Sequence, residues 1–204
     1  MNACAKFGRC FGLIVSAIIL ALCPCCTRTV PLPTLDAPPY LKARGYSKND
    51  IDAIVRKRRI SDYLFDKAVT EKSDDVRMLL AQNWNLREDQ LERFMNAPEE
   101  QVRSSLAWNR SISVSMIRRL YNDESRYVLG SLATNPTVSQ NILIDLRYKR
   151  EVDLIHFSLN PKCPPQIRRE FMQTGDIRYS NNFALAQKME RTRRRMELNP
   201  RANQ

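Results

Sequence analysis

The stretch Val102-Arg103-Ser104-Ser105-Leu106-Ala107-Trp108-Asn109 decides the fold, because the chain repeats its pattern. The same phrase, V-R-x-x-L-A-x-N, ends at Asn83; a copy without the arginine ends at Asn135, and a weaker copy ends at Asn160. The four asparagines are 26, 26 and 25 residues apart. A period of this length indicates stacked repeats, because each unit buries its apolar face only against its neighbours.

Each central repeat divides into two short helices. The first is predicted over Asp74 to Gln82, Glu100 to Trp108 and Ser125 to Thr134, where the V-x-x-x-L-A spacing places apolar residues on one side. Helices this short are marginal alone, so stacking is expected to stabilise them. The second helix carries apolar residues at helical spacing: Leu91, Phe94 and Met95, then Ile117, Leu120 and Tyr121, then Leu143 and Leu146.

Two further helices are predicted before the repeats. Ser47 with Asp50 is typical of an N-cap with an acidic first turn, and Ser61 precedes a second apolar run. In the 26-residue frame, Ile60 and Phe65 align with Leu86 and Leu91. This segment therefore reads as a degenerate first repeat that closes one end of the stack.

These residues resemble the variant leucine-rich repeat family. The resemblance rests on 75–83 and 102–109 and on the Asn135-Pro136 and Asn160-Pro161 turns, and it covers about residues 73–172. It implies a right-handed, all-helical solenoid akin to HEAT-like stacks. The period is slightly longer than is usual for that family, and Leu129 and Leu154 replace the arginine in the later copies.

Some members of that family carry a cysteine-ligated iron–sulfur module. Cys163 is the only cysteine after residue 26, so residues 27–204 cannot supply such a site. No cofactor and no metal site are predicted.

The N-terminus resembles a bacterial lipoprotein signal. Lys6 and Arg9 precede an apolar run of 13 residues from Phe11 to Cys23, which is the length of a signal-peptide core rather than of a membrane span. Lipidation is predicted at Cys23 or Cys26. An uncleaved short membrane anchor and an ordinary cleaved signal are the alternatives. A cysteine metal site is disfavoured, because the leader offers no histidine or acidic partner.

The predicted fold class is all-α: a short right-handed α-solenoid of about four to five repeats. The predicted segments are a leader (1–26), a proline-rich tether (27–45), N-terminal capping helices (46–72), the helical repeats (73–180) and a basic C-terminal helix and tail (181–204). Proline at this density favours an extended tether. An exported protein is expected, held at the cell envelope as an outer-membrane lipoprotein facing the periplasm.

The repeated asparagines follow predicted helix ends. Asn tolerates left-handed backbone angles and bonds nearby main chain, so we expect a structural role for Asn83, Asn109, Asn135 and Asn160. Arg77 and Arg103 can cover the preceding repeat and pair with acidic neighbours such as Asp75 or Glu100.

Candidate partner-binding residues are those that differ between copies or flank the repeated phrase. Trp84 and Trp108 flank the first two asparagines, and tryptophan is enriched at interface hot spots. Tyr127, Arg77 and Arg103 complete this set. Packing between repeats is the competing interpretation for the tryptophans and the arginines.

The formal net charge is +11, and the leader accounts for only two of those charges. The excess lies in two clusters that are predicted to contact an anionic surface. Lipid head groups, acidic protein and nucleic acid are the candidates, and simple solvated faces are the alternative. The clusters are Arg56, Lys57, Arg58 and Arg59, and then Lys188, Arg191, Arg193, Arg194 and Arg195.

The predicted function is a membrane-anchored scaffold that binds a protein partner of an envelope assembly, such as a secretion or conjugation apparatus. A basic nucleic-acid-binding repeat protein is the alternative. No catalytic residue is predicted, because the chain has no Gly-rich phosphate loop, two-histidine motif or G-x-S-x-G elbow. An enzyme would have to use Cys163 with His156, the only histidine.

Overall fold

The structure, a computed structural model, describes residues 39–71 and 73–198. These residues form helices and connecting turns and contain no strand, which confirms the all-α class. The helices are α1 (Pro39–Ala43), α2 (Lys48–Val55), α3 (Asp62–Val69), α4 (Asp74–Ala81), α5 (Glu88–Glu92), α6 (Glu100–Trp108), α7 (Val114–Tyr121), α8 (Arg126–Thr134), α9 (Gln140–Tyr148), α10 (Leu154–Ser158), α11 (Pro165–Gln173) and α12 (Ile177–Leu198).

Helix α1 occupies part of the range assigned to the tether, 27–45. Pro39 is its first residue, where the fixed φ of proline suits a helix and its missing N–H costs nothing. Leu41 in this helix is fully buried. Residues 39–43 of the predicted tether are therefore helical rather than extended.

Helices α2 and α3 begin where the sequence predicts. The Ser47 hydroxyl accepts a hydrogen bond from the Asp50 N–H at 3.1 Å, and the Asp50 carboxylate accepts one from the Ser47 N–H at 3.1 Å. The Ser61 hydroxyl accepts from the Leu64 N–H at 3.2 Å. These side chains satisfy N–H groups that have no partner inside the helix, which fixes both helix starts.

The first helices of the repeats pack against one another in sequence order: α4 on α6, α6 on α8, and α8 on α10. The valine, leucine and alanine of the repeated phrase lie in this contact. All nine side chains are fully buried: Val76, Leu80, Ala81, Val102, Leu106, Ala107, Val128, Leu132 and Ala133. Each buried Val or Leu contributes about 1.5–3 kcal/mol, so the phrase supplies the core that short helices need.

The second helices of the repeats are α5, α7, α9 and α11. Helix α5 ends at Glu92, so Phe94 and Met95 lie beyond it, although the sequence predicts both on the helix. The N–H groups of Phe94, Met95 and Ala97 donate to carbonyls three residues back, at 3.0–3.2 Å. Tight turns of this kind keep Phe94 and Met95 buried while they end the helix before Pro98.

Helix α12 closes the described part of the chain. It begins at Ile177, before the predicted boundary at residue 181, and packs against α10 and α11. The rings of Phe183 and Tyr179 lie 5.8 and 6.0 Å from the ring of Phe171, measured between centroids. These aromatic contacts fix the first half of α12 to the last repeat.

Across 39–71 and 73–198, no helix combines the length and the apolar character needed to cross a membrane. The leader with Cys23 and Cys26 lies outside the described residues.

Candidate functional site

The repeated asparagines form a hydrogen-bonded ladder between repeats. The Asn109 side-chain Nδ2 donates to the backbone carbonyls of Ala81 and Asn83, at 2.7 and 3.1 Å. Asn135 bonds Ala107 and Asn109 in the same way, at 2.8 and 2.9 Å. Asn160 repeats the geometry on the next unit, and Asn83 begins the ladder by donating to the Arg58 carbonyl at 2.9 Å.

Each asparagine also holds its own turn. The side-chain oxygens of Asn83, Asn109, Asn135 and Asn160 accept from the N–H two residues on, at 2.9 Å in every copy. Asn109 and Asn135 have extended backbones, with φ of −68° and −75° and ψ of 130° and 119°. They do not adopt the left-handed conformation that the sequence suggests. An extended residue carries its amide to the preceding repeat, and the structural role predicted for the asparagines is confirmed.

Arg77 and Arg103 are each held by a carboxylate of the following segment, and Arg77 also by one of its own helix. Arg77 pairs with Asp74 at 2.8 Å and with Glu99 at 2.6 Å. Arg103 pairs with Asp123 through two nitrogens, at 2.7 and 3.1 Å, and its Nη1 donates to the Ala97 carbonyl at 2.7 Å. Asp75 and Glu100, named as possible partners, are not the carboxylates used. Both arginine side chains are less than one-fifth exposed, so little of either is left for a partner.

Lys57, Trp84 and Trp108 form a cluster that we call the aromatic platform. The Lys57 ammonium nitrogen lies 4.7 Å from the centroid of the Trp84 ring and 4.8 Å from that of Trp108. Both distances suit a cation–π interaction. Lys57 is only 8% exposed, whereas Trp84 is 48% exposed. The lysine therefore supports a tryptophan that presents about half of its surface to solvent.

The backbone of Lys57 is held in an unusual conformation. Its φ is +53°, in the left-handed region that favours glycine. It occupies the position at which a Schellman motif usually has glycine: the Lys57 N–H donates to Ile54 at 3.2 Å, and the Arg58 N–H donates to Ala53 at 2.8 Å. The Asn85 side-chain amide also donates to the Lys57 carbonyl, at 2.5 Å. These bonds aim the lysine side chain at the two rings.

Burial lowers the pKa of Lys57 to about 8, and the positive charge of Arg110 contributes to this shift. Arg110 is in turn tied to helix α12 through Glu190, at 3.3 Å. Hydrogen bonds from Arg193 and Arg194 hold the pKa of Glu190 at about 2, against the opposing effect of its burial. Four segments therefore meet here: the turn after α2, two repeat turns and the C-terminal helix.

The predicted anionic-surface residues do not share one environment. Lys57 lies inside the platform, while Arg56 and Arg58 both pair with Asp52, at 2.5 and 3.2 Å. Arg193 and Arg194 pair with Glu190, at 2.7 and 3.2 Å. Four residues of the predicted set are exposed and make no ion pair with another described residue: Arg59, Lys188, Arg191 and Arg195.

Tyr127 lies on α8 and is half exposed. Its backbone carbonyl accepts a hydrogen bond from the Ser104 hydroxyl at 3.3 Å, and Ser104 is also 2.7 Å from the hydroxyl of Ser131. Among the aromatic partner-binding candidates, Tyr127 and Trp84 are therefore the two with large accessible surfaces.

His156 lies on α10, and Cys163 lies in the turn after Asn160. The imidazole of His156 lies against Gly130, so close that a Cβ on Gly130 would be 2.6 Å from the ring. Burial lowers the pKa of His156 and raises that of Cys163 to about 12. A thiol with this pKa is protonated at neutral pH and is a poor nucleophile.

No family model, curated protein or solved structure gives a significant match to this chain. The variant leucine-rich repeat resemblance therefore stays a prediction, and the structure supports the coarser description, a helical-repeat-like all-α fold.

The sequence does not single out Lys57 or Glu190 as organising residues. Lys57 is one of four consecutive basic residues, and its ring partners are 27 and 51 residues away. Glu190 is 80 residues from Arg110. The only sequence feature that could have pointed to Glu190 is that it is an acidic residue within a strongly basic segment.

Proposed function

We propose that this chain is a right-handed α-solenoid of four to five repeats that holds a protein partner at the cell envelope, with the aromatic platform as its anchor site. The observation that carries the proposal is Trp84, which is half exposed and backed on one side by Lys57. The partner class that suits it is a protein of a larger membrane assembly.

A fixed tryptophan is an effective anchor, because little conformational entropy is lost when a partner covers it. Trp84 meets this condition: the Ser111 hydroxyl donates to its backbone carbonyl at 2.6 Å, and Lys57 stacks on its ring. Tryptophans in such positions commonly account for more than 2 kcal/mol of binding free energy.

The ladder supports the repeat architecture in this proposal. Each asparagine links its unit to the one before, so turns that carry Trp84, Arg110, Pro136 and Pro161 follow one another at a regular spacing. The residue after each asparagine differs between repeats, and these differences give the surface its specificity. Stacked repeats use such surfaces for extended binding sites.

The nucleic-acid alternative has less support. A phosphate-binding surface needs cations that are free to replace counterions. Arg56, Arg58, Arg193 and Arg194 are instead paired with carboxylates, and Lys57 is buried, which leaves four of the nine predicted cations for such a surface: Arg59, Lys188, Arg191 and Arg195. The enzyme alternative depends on the Cys163 thiol, whose raised pKa disfavours nucleophilic chemistry.

Membrane attachment rests on the leader, with Cys23 or Cys26 as the modified residue. Radiolabelled palmitate incorporation tests it directly, with Cys23→Ser and Cys26→Ser compared separately. Loss of label and of membrane fractionation in one variant identifies the modified cysteine. Unchanged labelling in both contradicts the lipoprotein assignment.

The binding proposal is tested by in-cell crosslinking of wild type, followed by quantification of the attached proteins in Trp84→Ala. A loss of about 30-fold in the yield of a specific partner is expected, as for a central hot spot. Tyr63→Ala is the matched control, because Tyr63 is an aromatic residue on α3 that is 80% exposed and is not part of the platform. Equal losses in both variants would contradict a role for the platform.

A further inference from the structure

The solvent side of helix α12 carries three cations on one face. Lys188, Arg191 and Arg195 are all exposed, and their i, i+3 and i+7 spacing places them in one row. We propose that this row, which we call the outer face of α12, lies on anionic phospholipid head groups. The inference goes beyond the proposed protein-binding function, since it uses none of the platform residues.

The carboxylates of α12 lie on the other side of the helix. Glu190 and Glu197 are seven residues apart and share a face, and both pair with Arg193. Glu190 is almost fully buried against the repeats. Since the acids of α12 pair with Arg193 and Arg194, the outer face keeps its positive charge and has no acidic residue within the row.

Contacts along α12 keep the outer face turned outward. Phe183 packs on Phe171, Asn182 donates to the Ser158 hydroxyl at 3.3 Å, and Glu190 pairs with Arg110. These three contacts are on the inward side and extend over two turns of the helix. The helix therefore presents its three cations as a fixed set, and not as three independent side chains on a mobile tail.

Exposed apolar side chains elsewhere on α12 favour lipid over nucleic acid. Ile177 is 70% exposed and lies eleven residues, about three turns, before Lys188. Leu198 is 86% exposed and lies three residues after Arg195. Aliphatic groups are stabilised when they are buried at a membrane interface, whereas a phosphate backbone offers them no apolar contact. Each cation near an anionic membrane surface raises affinity about fivefold, or about 100-fold for three.

The test is lysine footprinting of the full-length protein, made by cell-free translation with preformed vesicles. The vesicles contain phosphatidylcholine alone or a mixture with phosphatidylglycerol. An amine-reactive reagent labels the accessible lysines, and mass spectrometry measures the labelling of each one. Labelling of Lys188 is expected to fall at least about fivefold in the anionic vesicles. Lys48 and Lys149 are internal controls, because both are exposed and lie outside α12, on α2 and directly after α9; their labelling is expected to stay the same.

Two double variants test whether the charge of the outer face causes the protection of Lys188. Arg191→Gln with Arg195→Gln is expected to restore Lys188 labelling in anionic vesicles, whereas Lys42→Gln with Arg118→Gln, which removes the same charge elsewhere, is expected to leave the protection intact. Equal labelling of Lys188 in both vesicle types overturns the inference. Protection by duplex DNA with none by anionic vesicles also overturns it, and assigns the outer face to nucleic acid. None of these outcomes depends on Trp84, so a failure here leaves the binding proposal standing.

Discussion

The side-chain amide of Asn135 donates to the backbone carbonyl of Asn109 at 2.9 Å, so each repeat is hydrogen-bonded to the one before it through the residue that ends its phrase. The same side chain accepts from the Thr137 N–H at 2.9 Å and is fully buried. One asparagine thus bonds backbone groups of two repeats, and the carbonyls that it reaches in the preceding repeat are buried.

Replacing Asn109 by Ala is expected to lower the free energy of unfolding by about 2–3 kcal/mol. The Ala81 carbonyl and the Ser111 N–H lose a side-chain partner, and the Asn83 carbonyl keeps its bond from the Leu86 N–H but loses the one from Asn109. Asn109→Asp is expected to cost at least as much, since a carboxylate cannot donate to the carbonyls of Ala81 and Asn83. Urea denaturation measures both. Asn96→Ala, at an exposed turn position, serves as the control and should change stability by less than about 0.5 kcal/mol.

Gly130→Ala is expected to destabilise the protein, although alanine is the better helix former by about 1 kcal/mol. The added Cβ would lie 2.6–2.9 Å from three atoms of the His156 ring. The double variant Gly130→Ala with His156→Ala is expected to be more stable than the sum of the two single changes predicts, because the clash is gone. Additive changes in melting temperature would show that the ring is not held against Gly130.

Lys57 is expected to titrate near pH 8 rather than near 10.5, because burial and Arg110 lower its pKa. The unfolded chain keeps its proton up to the ordinary value, so the wild type gains stability relative to Lys57→Met as pH rises from about 8 to 10.5. NMR of labelled lysine side chains reports the pKa, and denaturation at several pH values reports the slope. A pH-independent stability difference would contradict the buried position of the ammonium.

Glu190→Gln is expected to lower the free energy of unfolding by about 2 kcal/mol at neutral pH, because the carboxylate binds Arg193, Arg194 and Arg110. The folded pKa is about 2, below the ordinary value of 4.5. The stabilisation is therefore complete above about pH 4.5 and is lost as pH falls toward 2. Wild type and variant should converge over this range; a constant difference would show that the ion pairs are not its cause.

Sequence periodicity predicts the helices of the repeats well, because Val102, Leu106 and Ala107 mark a buried face that only a helix presents. It does not predict the backbone of Asn109. A turn asparagine suggests a left-handed angle, whereas the preceding repeat supplies two carbonyls that an extended residue reaches. The backbone conformation of Asn109 thus depends on the preceding repeat, about 26 residues away, and the local sequence pattern carries no information about that contact.

The candidate site was predicted less completely than the fold. Trp84 and Trp108 stand out by residue type, and the structure brings them together around one ammonium group. Lys57 itself resembles its basic neighbours in sequence. What distinguishes it is a left-handed backbone and burial, and both follow from how the turn after α2 packs on the repeats.

The most direct test of the account is site-specific photocrosslinking in cells with a benzophenone amino acid at position 84, where its aromatic rings take the place of the indole, compared with the same probe at position 63. Both positions are exposed, but only position 84 belongs to the aromatic platform. A discrete crosslinked protein from position 84, with none from position 63, is the predicted result. The same products from both positions, or products from position 63 alone, would contradict the proposal that this chain holds a protein partner at Trp84.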